Sequence, residues 1–283
     1  MEIKKIGVLG AGAMGTGIAN VAAQGGFDVI ISDVDLGIVQ KSVGNINSFL
    51  NKSVEKGKLT TEQKDEIIAR VEPQSGLDGF GDVDLVIEAI FEDMQVKKDN
   101  FVKLDKICKP EAILCSNTSS FSITELAATT ERPERFAGMH FFNPAPIMRL
   151  VEIIRGYYTS DDTVSTLKDV TVKMRKTPVL VKRDSPGFIV NRIMLIQFIE
   201  AIKLLEEGVA TPEDIDIAVK LGLNYPMGPF ELLDFGGVDI TYHVVNYLCD
   251  EFKDIRWNPP LALKELIRAG RLGRKNGKGF YNY

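Results

Sequence analysis

Six residues near the start of the chain, Gly10-Ala11-Gly12-Ala13-Met14-Gly15, do most to limit how it can fold. They follow an apolar run over residues 5–10 and open a helical pattern. In that setting the first glycine allows a tight turn, the second admits a pyrophosphate close to the backbone, and the third lets helix pack on strand. The unpaired N–H groups of the helix would then face the phosphates. Asp33 lies at the end of a second apolar run, 18 residues beyond Gly15. A carboxylate there can accept from a ribose 2′-hydroxyl. A 2′-phosphate at the same place would meet Asp33 and Asp35 with no arginine in the turn, so NAD is expected in preference to NADP.

The rest of the chain fits a sheet that such a turn can serve. Strand patterns fall at residues 5–10, 28–33, 84–90, 113–117 and 136–142, with a further apolar run, Leu150-Val-Glu-Ile-Ile, after them. Longer helical patterns alternate with these strands, which is the signature of a mostly parallel sheet covered by helices. Between the second and third strands lies a lysine-rich segment, residues 36–70, in which Val39, Val43, Ile46 and Leu50 recur at helical spacing. It is expected to be an inserted helical hairpin. After Asp184 the pattern becomes all helix, at residues 188–207, 212–221, 229–252 and 261–269, punctuated by proline and glycine. Thr211-Pro212-Glu213-Asp214 supplies a cap, a proline in the first turn and acidic residues beside the helix N-terminus. The expected division is a Rossmann-type domain over residues 1–184 and an all-α domain over residues 185–283, meeting near Ser185-Pro186-Gly187.

Charge and cysteine content exclude several classes of function. A formal net charge of −5 gives no electrostatic reason to bind nucleic acid or an anionic membrane, so an anionic ligand must find local cations. Cys108, Cys115 and Cys249 are odd in number and far apart, without metal or redox spacing. They read as reduced thiols of a cytoplasmic protein, and no metal is expected. The apolar stretch over residues 6–23 follows Lys4 and Lys5 as a secretory signal might. Its glycines at 7, 10, 12, 15 and 17 argue against a signal helix, each costing up to ~1 kcal/mol relative to alanine. No other run reaches the roughly 18 uncharged apolar residues of a membrane span.

A dinucleotide-linked oxidation must move a proton as well as a hydride, and histidine titrates nearest neutrality. The chain has two. His243 falls in an amphipathic helical pattern with no evident acid to orient it and reads as structural. His140 ends an apolar strand in Phe136-Ala-Gly-Met-His-Phe-Phe-Asn-Pro, at the sheet edge where open α/β folds place ligands. Glu152, twelve residues on, could orient its imidazole. Spacing alone leaves open a buried histidine and an edge-strand acid with no catalytic part.

Four longer stretches carry a resemblance: Ser116-Asn-Thr-Ser-Ser120, His140-Phe-Phe-Asn-Pro-Ala-Pro-Ile-Met-Arg-Leu-Val-Glu152, Ser185-Pro-Gly-Phe-Ile-Val-Asn-Arg192 and Tyr225-Pro-Met-Gly-Pro-Phe-Glu-Leu-Leu-Asp234. Together with Gly273-Arg-Lys-Asn-Gly-Lys-Gly-Phe-Tyr281 they closely resemble the L-3-hydroxyacyl-CoA dehydrogenase family, from Lys5 to Tyr281. No segment resembles a fused hydratase, so the likeness is to free-standing bacterial members. The resemblance implies NAD-dependent interconversion of 3-hydroxybutyryl-CoA and acetoacetyl-CoA, in butyrate or butanol fermentation or in fatty-acid β-oxidation. It implies His140 as general base in alcohol oxidation, Glu152 as its orienting acid, and Ser119 and Asn191 at the substrate's 3-oxygen. It further places Glu92, Lys97, Ser119, Asn143 and Lys275 near the cofactor and Lys52 and Lys56 near the CoA phosphates, and implies a homodimer. Read without it, Ser119 is a turn residue, Asn191 a helix-surface amide, Glu92 a helix N-terminal acid, and Lys97 and Lys275 solvated charges.

Two other readings remain open at this level. One is a 3-hydroxyacid dehydrogenase acting on small acids without CoA, whose proton-transferring residue is a lysine. The other is a dinucleotide-binding protein without turnover.

Overall fold

The computed structural model describes every residue, Met1 to Tyr283. The chain forms two compact units, Met1–Ser185 and Pro186–Tyr283.

The first unit carries β1 (Lys5–Leu9), α1 (Ala13–Gln24), β2 (Asp28–Asp33), α2 (Leu36–Glu55), α3 (Thr61–Ala69), β3 (Val71–Ser75), β4 (Leu85–Glu88), α4 (Met94–Ile107), β5 (Ile113–Ser116), α5 (Ile123–Ala127), β6 (Phe136–Phe141), β7 (Leu150–Ile154), α6 (Asp161–Lys173) and β8 (Thr177–Val181). Its eight strands lie in the order β3-β2-β1-β4-β5-β6-β7-β8. The first six are parallel, β7 runs antiparallel to β6, and β8 is parallel to β7. Strand order reverses between β1 and β4, and open α/β sheets bind ligands beyond the strand ends at such a reversal. Central strands are buried on both faces and read as continuous apolar runs. Ile6, Val8, Ile31, Leu85, Ile87, Met139 and Val151 accordingly form one core with Ile18, Ala22 and Leu167 of the covering helices.

Residues 36–70 form the expected helical hairpin, α2 and α3, inserted before β3. Asp35 caps α2 by accepting from the Gly37 N–H at 2.6 Å. Thr60 and Gln63 close a capping box at the start of α3. Two strands absent from the expectation, β3 and β8, are sheet edges. Each carries a proline, Pro73 and Pro178, and alternates with exposed residues. Proline is tolerated on an edge, where half of the ladder is missing, and the resulting pattern does not read as an apolar run.

The second unit holds α7 (Val190–Glu206), α8 (Pro212–Leu223), α9 (Pro229–Gly236), α10 (Val238–Phe252) and α11 (Leu261–Arg268). Phe198, Ile202, Phe230, Leu233, Val245, Leu248, Trp257 and Leu263 make its core. The single helix expected over residues 229–252 is two, because Gly237 takes φ +105° and breaks the helical path between α9 and α10. Buried Asp234 accepts from the Phe280 and Tyr281 N–H groups, both at 2.9 Å, and so ties the C-terminal residues to α9. No helix in either unit is long and apolar enough to cross a membrane.

Candidate active site

The glycine turn has the shape a dinucleotide needs. Gly10 sits at φ +106°, and a Cβ there would lie 2.4 Å from the Ala89 carbonyl oxygen. A Cβ on Gly15 would lie 1.8 Å from the Gly10 carbonyl oxygen, so neither glycine can be replaced without moving backbone. Above Gly12, by contrast, a Cβ would meet nothing within 4 Å. Gly12 caps α1 without a side-chain hydrogen bond, so no side chain of the cap occupies the first N–H groups of the helix. Asp33 Oδ2 accepts from the Ala11 N–H at 2.8 Å and Oδ1 from the Val34 N–H at 2.8 Å. The carboxylate therefore braces the turn while keeping acceptor capacity for ribose hydroxyls, since two ionised oxygens offer about four acceptor sites. These features fit NAD: an uncapped, side-chain-free helix N-terminus for the pyrophosphate and an acid for the ribose. Gly15→Ala must push the turn open against backbone, at a cost of about 1–3 kcal/mol. Its NADH affinity is expected to fall roughly tenfold or more in a fluorescence titration.

Where β4 and β5 end, a polar network lies largely inside the protein. Glu88, the last residue of β4, is fully buried and Lys97 of α4 is 1% exposed. Glu88 Oε1 accepts from Lys97 Nζ at 2.6 Å and from the Ile90 N–H at 2.8 Å, and Oε2 accepts from the Ser116 hydroxyl at 2.6 Å. Lys97 reaches a second carboxylate, Glu92, at 3.1 Å, and Glu92 in turn accepts from the Thr118 hydroxyl. Ser119 follows directly, half-buried, its N–H 3.4 Å from Glu92 Oε1. Lys97 is thus not a solvated surface charge; it locks the loop that carries Glu92 to the loop that carries Ser119. Substituting Lys97 by methionine leaves a fully buried carboxylate without its cation, which costs about 3–5 kcal/mol. The expected result is a clearly lowered denaturant midpoint together with weakened NADH binding.

His140 and Glu152 face each other in the antiparallel β6–β7 ladder. Their burial is nearly complete, at 5% and 0% exposure, and His140 Nδ1 lies 2.8 Å from Glu152 Oε2. A carboxylate in its ionised form only accepts, so this contact favours the neutral imidazole tautomer with its proton on Nδ1 and its lone pair on Nε2. The Phe142 ring packs on the imidazole, centroids 4.5 Å apart. Asn117, just after β5, accepts from the Phe141 N–H at 2.9 Å and donates its own N–H to the Glu88 carbonyl at 2.8 Å. The backbone beside His140 is tied in this way to the β4 and β5 ends. Asn143 follows β6 and is exposed.

The remaining candidates stand on other elements. Lys52 and Lys56 are exposed at the C-terminal end of α2. In the helical unit, Asn191 is half-buried in the first turn of α7, behind Gly187 at φ +73° and the buried Phe188 at φ +50°. A bulky residue in the left-handed region costs of order 1–3 kcal/mol and persists only where its surroundings hold it. Lys275 pairs with Asp239 at 2.5 Å in the same unit. His243 is exposed on α10. Cys115 and Cys108 are buried free thiols, and burial pushes the Cys108 thiol up to about 11, so neither is a nucleophile at neutral pH.

Comparison with known proteins bears on the whole length. Residues 5–185 match the model for the 3-hydroxyacyl-CoA dehydrogenase NAD-binding domain, and residues 187–283 match the model for that family's C-terminal domain. A probable 3-hydroxybutyryl-CoA dehydrogenase of Deinococcus radiodurans is 48% identical over 99% of this chain and 100% of its own. The 3-hydroxybutyryl-CoA dehydrogenase of Bradyrhizobium diazoefficiens is 47% identical over 99% and 96%. The crystal structure of (S)-3-hydroxybutyryl-CoA dehydrogenase from Ralstonia eutropha superposes with a TM-score of 0.96 at 42% identity, covering 100% of this chain and 99% of that one. With a glycine turn fitted to NAD, a buried histidine–glutamate pair and both family domains matched in order, the chain belongs to the 3-hydroxyacyl-CoA dehydrogenase family and is an NAD-dependent oxidoreductase.

Proposed function

We propose that the protein interconverts (S)-3-hydroxybutanoyl-CoA and acetoacetyl-CoA, with His140 moving the proton and Glu152 holding it in place. The observation that carries this reading is the buried 2.8 Å contact between His140 Nδ1 and Glu152 Oε2 at the C-terminal end of β6. The names of the Deinococcus, Bradyrhizobium and Ralstonia relatives support the four-carbon acyl-CoA as substrate.

Oxidation of the alcohol removes a hydride from C3 and a proton from its oxygen. Bound NAD supplies the two-electron acceptor for that hydride. His140 Nε2 takes the hydroxyl proton, and the imidazolium so formed is stabilised by the Glu152 carboxylate on its other nitrogen. Ser119 and Asn191 donate to the 3-oxygen, which gains carbonyl character as the bond to hydrogen breaks. In the reverse direction the same imidazolium returns the proton. Glu92, Lys97, Asn143 and Lys275 serve the cofactor. Lys52 and Lys56, exposed cations on an acidic protein, suit the CoA phosphates. The working form is a homodimer, and the reaction serves fermentation or β-oxidation of short acyl chains.

The test is the loss of nicotinamide absorbance on mixing the protein with acetoacetyl-CoA and either NADH or NADPH, with free acetoacetate in parallel. Oxidation of NADH with the thioester alone is the expected result. Oxidation of NADPH alone would overturn the role given to Asp33. Turnover of acetoacetate in preference to the thioester would move the chain to the small-acid readings, and silence with every pair would leave a binding protein.

A further inference from the structure

A buried ammonium stands beside the turn that joins β6 to β7. Lys176, immediately before β8, is 8% exposed, and burial pulls its pKa down. Its Nζ donates to the Ala145 carbonyl at 2.6 Å and the Met148 carbonyl at 2.8 Å. Burying a charge without a counter-ion is costly unless hydrogen bonds replace its water. Here the replacements are two carbonyls of one turn, a bridge that an apolar side chain could not make.

That turn is fixed on three sides. The Ile147 and Met148 N–H groups both donate to the Pro144 carbonyl at 3.0 Å, which makes the turn compact. The Thr177 N–H donates to the Arg149 carbonyl at 2.7 Å, closing its far end. Buried Ala145 and its neighbour Pro146 lie against Gly17 of α1, where an added Cβ would come within 3.0 Å of both. The turn is therefore wedged between the helix whose N-terminus suits the pyrophosphate and the ammonium of Lys176. At its start it presents exposed Asn143, three residues after His140, and it leads into the strand that bears Glu152.

We propose that Lys176 is a positioning residue for the nicotinamide end of the cofactor: its ammonium clamps the 144–148 turn onto α1 and so sets the depth at which Asn143 meets the ligand. This rests on the proposed reading of His140, Glu152 and Asn143 as the reacting end of the site. Lys176 touches no reacting atom, so it acts through alignment, and a displacement of about 1 Å is enough to cost up to a hundredfold in rate.

The experiment compares the parent protein with Lys176→Met and Gly17→Ala. Lys176→Met removes the donors at similar length, and Gly17→Ala pushes the turn from the opposite side in a helix that otherwise favours alanine. Three quantities are read: amide hydrogen exchange at Ile147 and Met148, NADH affinity by fluorescence, and kcat against KM for acetoacetyl-CoA. Both variants should exchange faster at those amides, bind NADH about fivefold more weakly and lose about tenfold in kcat, with KM for the thioester within roughly twofold of the parent. Parental kcat and parental exchange in Lys176→Met would overturn the proposal. Should that variant not fold, the same parental result in Gly17→Ala would overturn it. A parent silent toward acetoacetyl-CoA would sink the proposed function instead, and the exchange and NADH titrations would still report on the clamp.

Discussion

Replacing His140 by asparagine is expected to lower kcat for acetoacetyl-CoA reduction by about a thousandfold or more while leaving the NADH dissociation constant within about twofold of the parent. The asymmetry follows from where the residue sits. The glycine turn and Asp33 belong to β1, α1 and β2, whereas His140 lies near the end of β6, four places along the sheet from β2. Asparagine is chosen over alanine because Glu152 is wholly buried and loses its imidazole partner in either variant. A side-chain amide can still donate to that carboxylate, whereas alanine adds the cost of a buried charge deprived of this donor, about 3–5 kcal/mol. Asparagine does not exchange a proton near neutral pH, so the fold is retained and the proton relay is lost. Near-normal turnover in a folded His140→Asn protein would refute the assignment. A parallel loss of NADH binding would show that the histidine supports cofactor affinity rather than chemistry.

The sequence shows the centre of this molecule better than its margins. The strands β1, β2, β4, β5 and β6 are buried on both faces, and their apolar runs are bounded by turn residues, so they read directly. The edge strands β3 and β8 do not, since proline and half-exposure erase the pattern. Glu88 shows how a site residue hides in plain sight. It is a lone charge closing the apolar run Leu85-Val86-Ile87, and such a charge in a buried strand needs a partner. The partner was also legible. Lys97, Phe101 and Leu104 recur at i, i+4 and i+7 on α4 and share its buried face, while Lys98 turns outward to pair with Glu125. Lys97 therefore belongs to the interior by helical phase, and pairing it with Glu88 needs only the fact that α4 follows β4. Lys176 left no such trace. Its partners are carbonyl oxygens of Ala145 and Met148, about thirty residues away, and backbone acceptors carry no side-chain signature.

The Glu152→Gln protein should fold, bind NADH and lose about a hundred- to a thousandfold in kcat. Glutamine keeps the shape of the side chain and can still meet Nδ1, so geometry changes little. Two electronic consequences remain. The imidazolium that forms when His140 takes the substrate proton no longer has a counter-charge 2.8 Å away. The amide can also present its NH2 group to Nδ1, which stabilises the tautomer with the proton on Nε2 and blocks that nitrogen as a base. Both effects act on the reacting state and neither acts on cofactor binding, so kcat should fall while the NADH dissociation constant holds. If the two residues work as one unit, the double variant His140→Asn with Glu152→Gln should be no slower than His140→Asn alone, because the carboxylate has nothing left to orient. Fully multiplicative losses in that cycle would mean that Glu152 acts on the reaction by some route other than the imidazole.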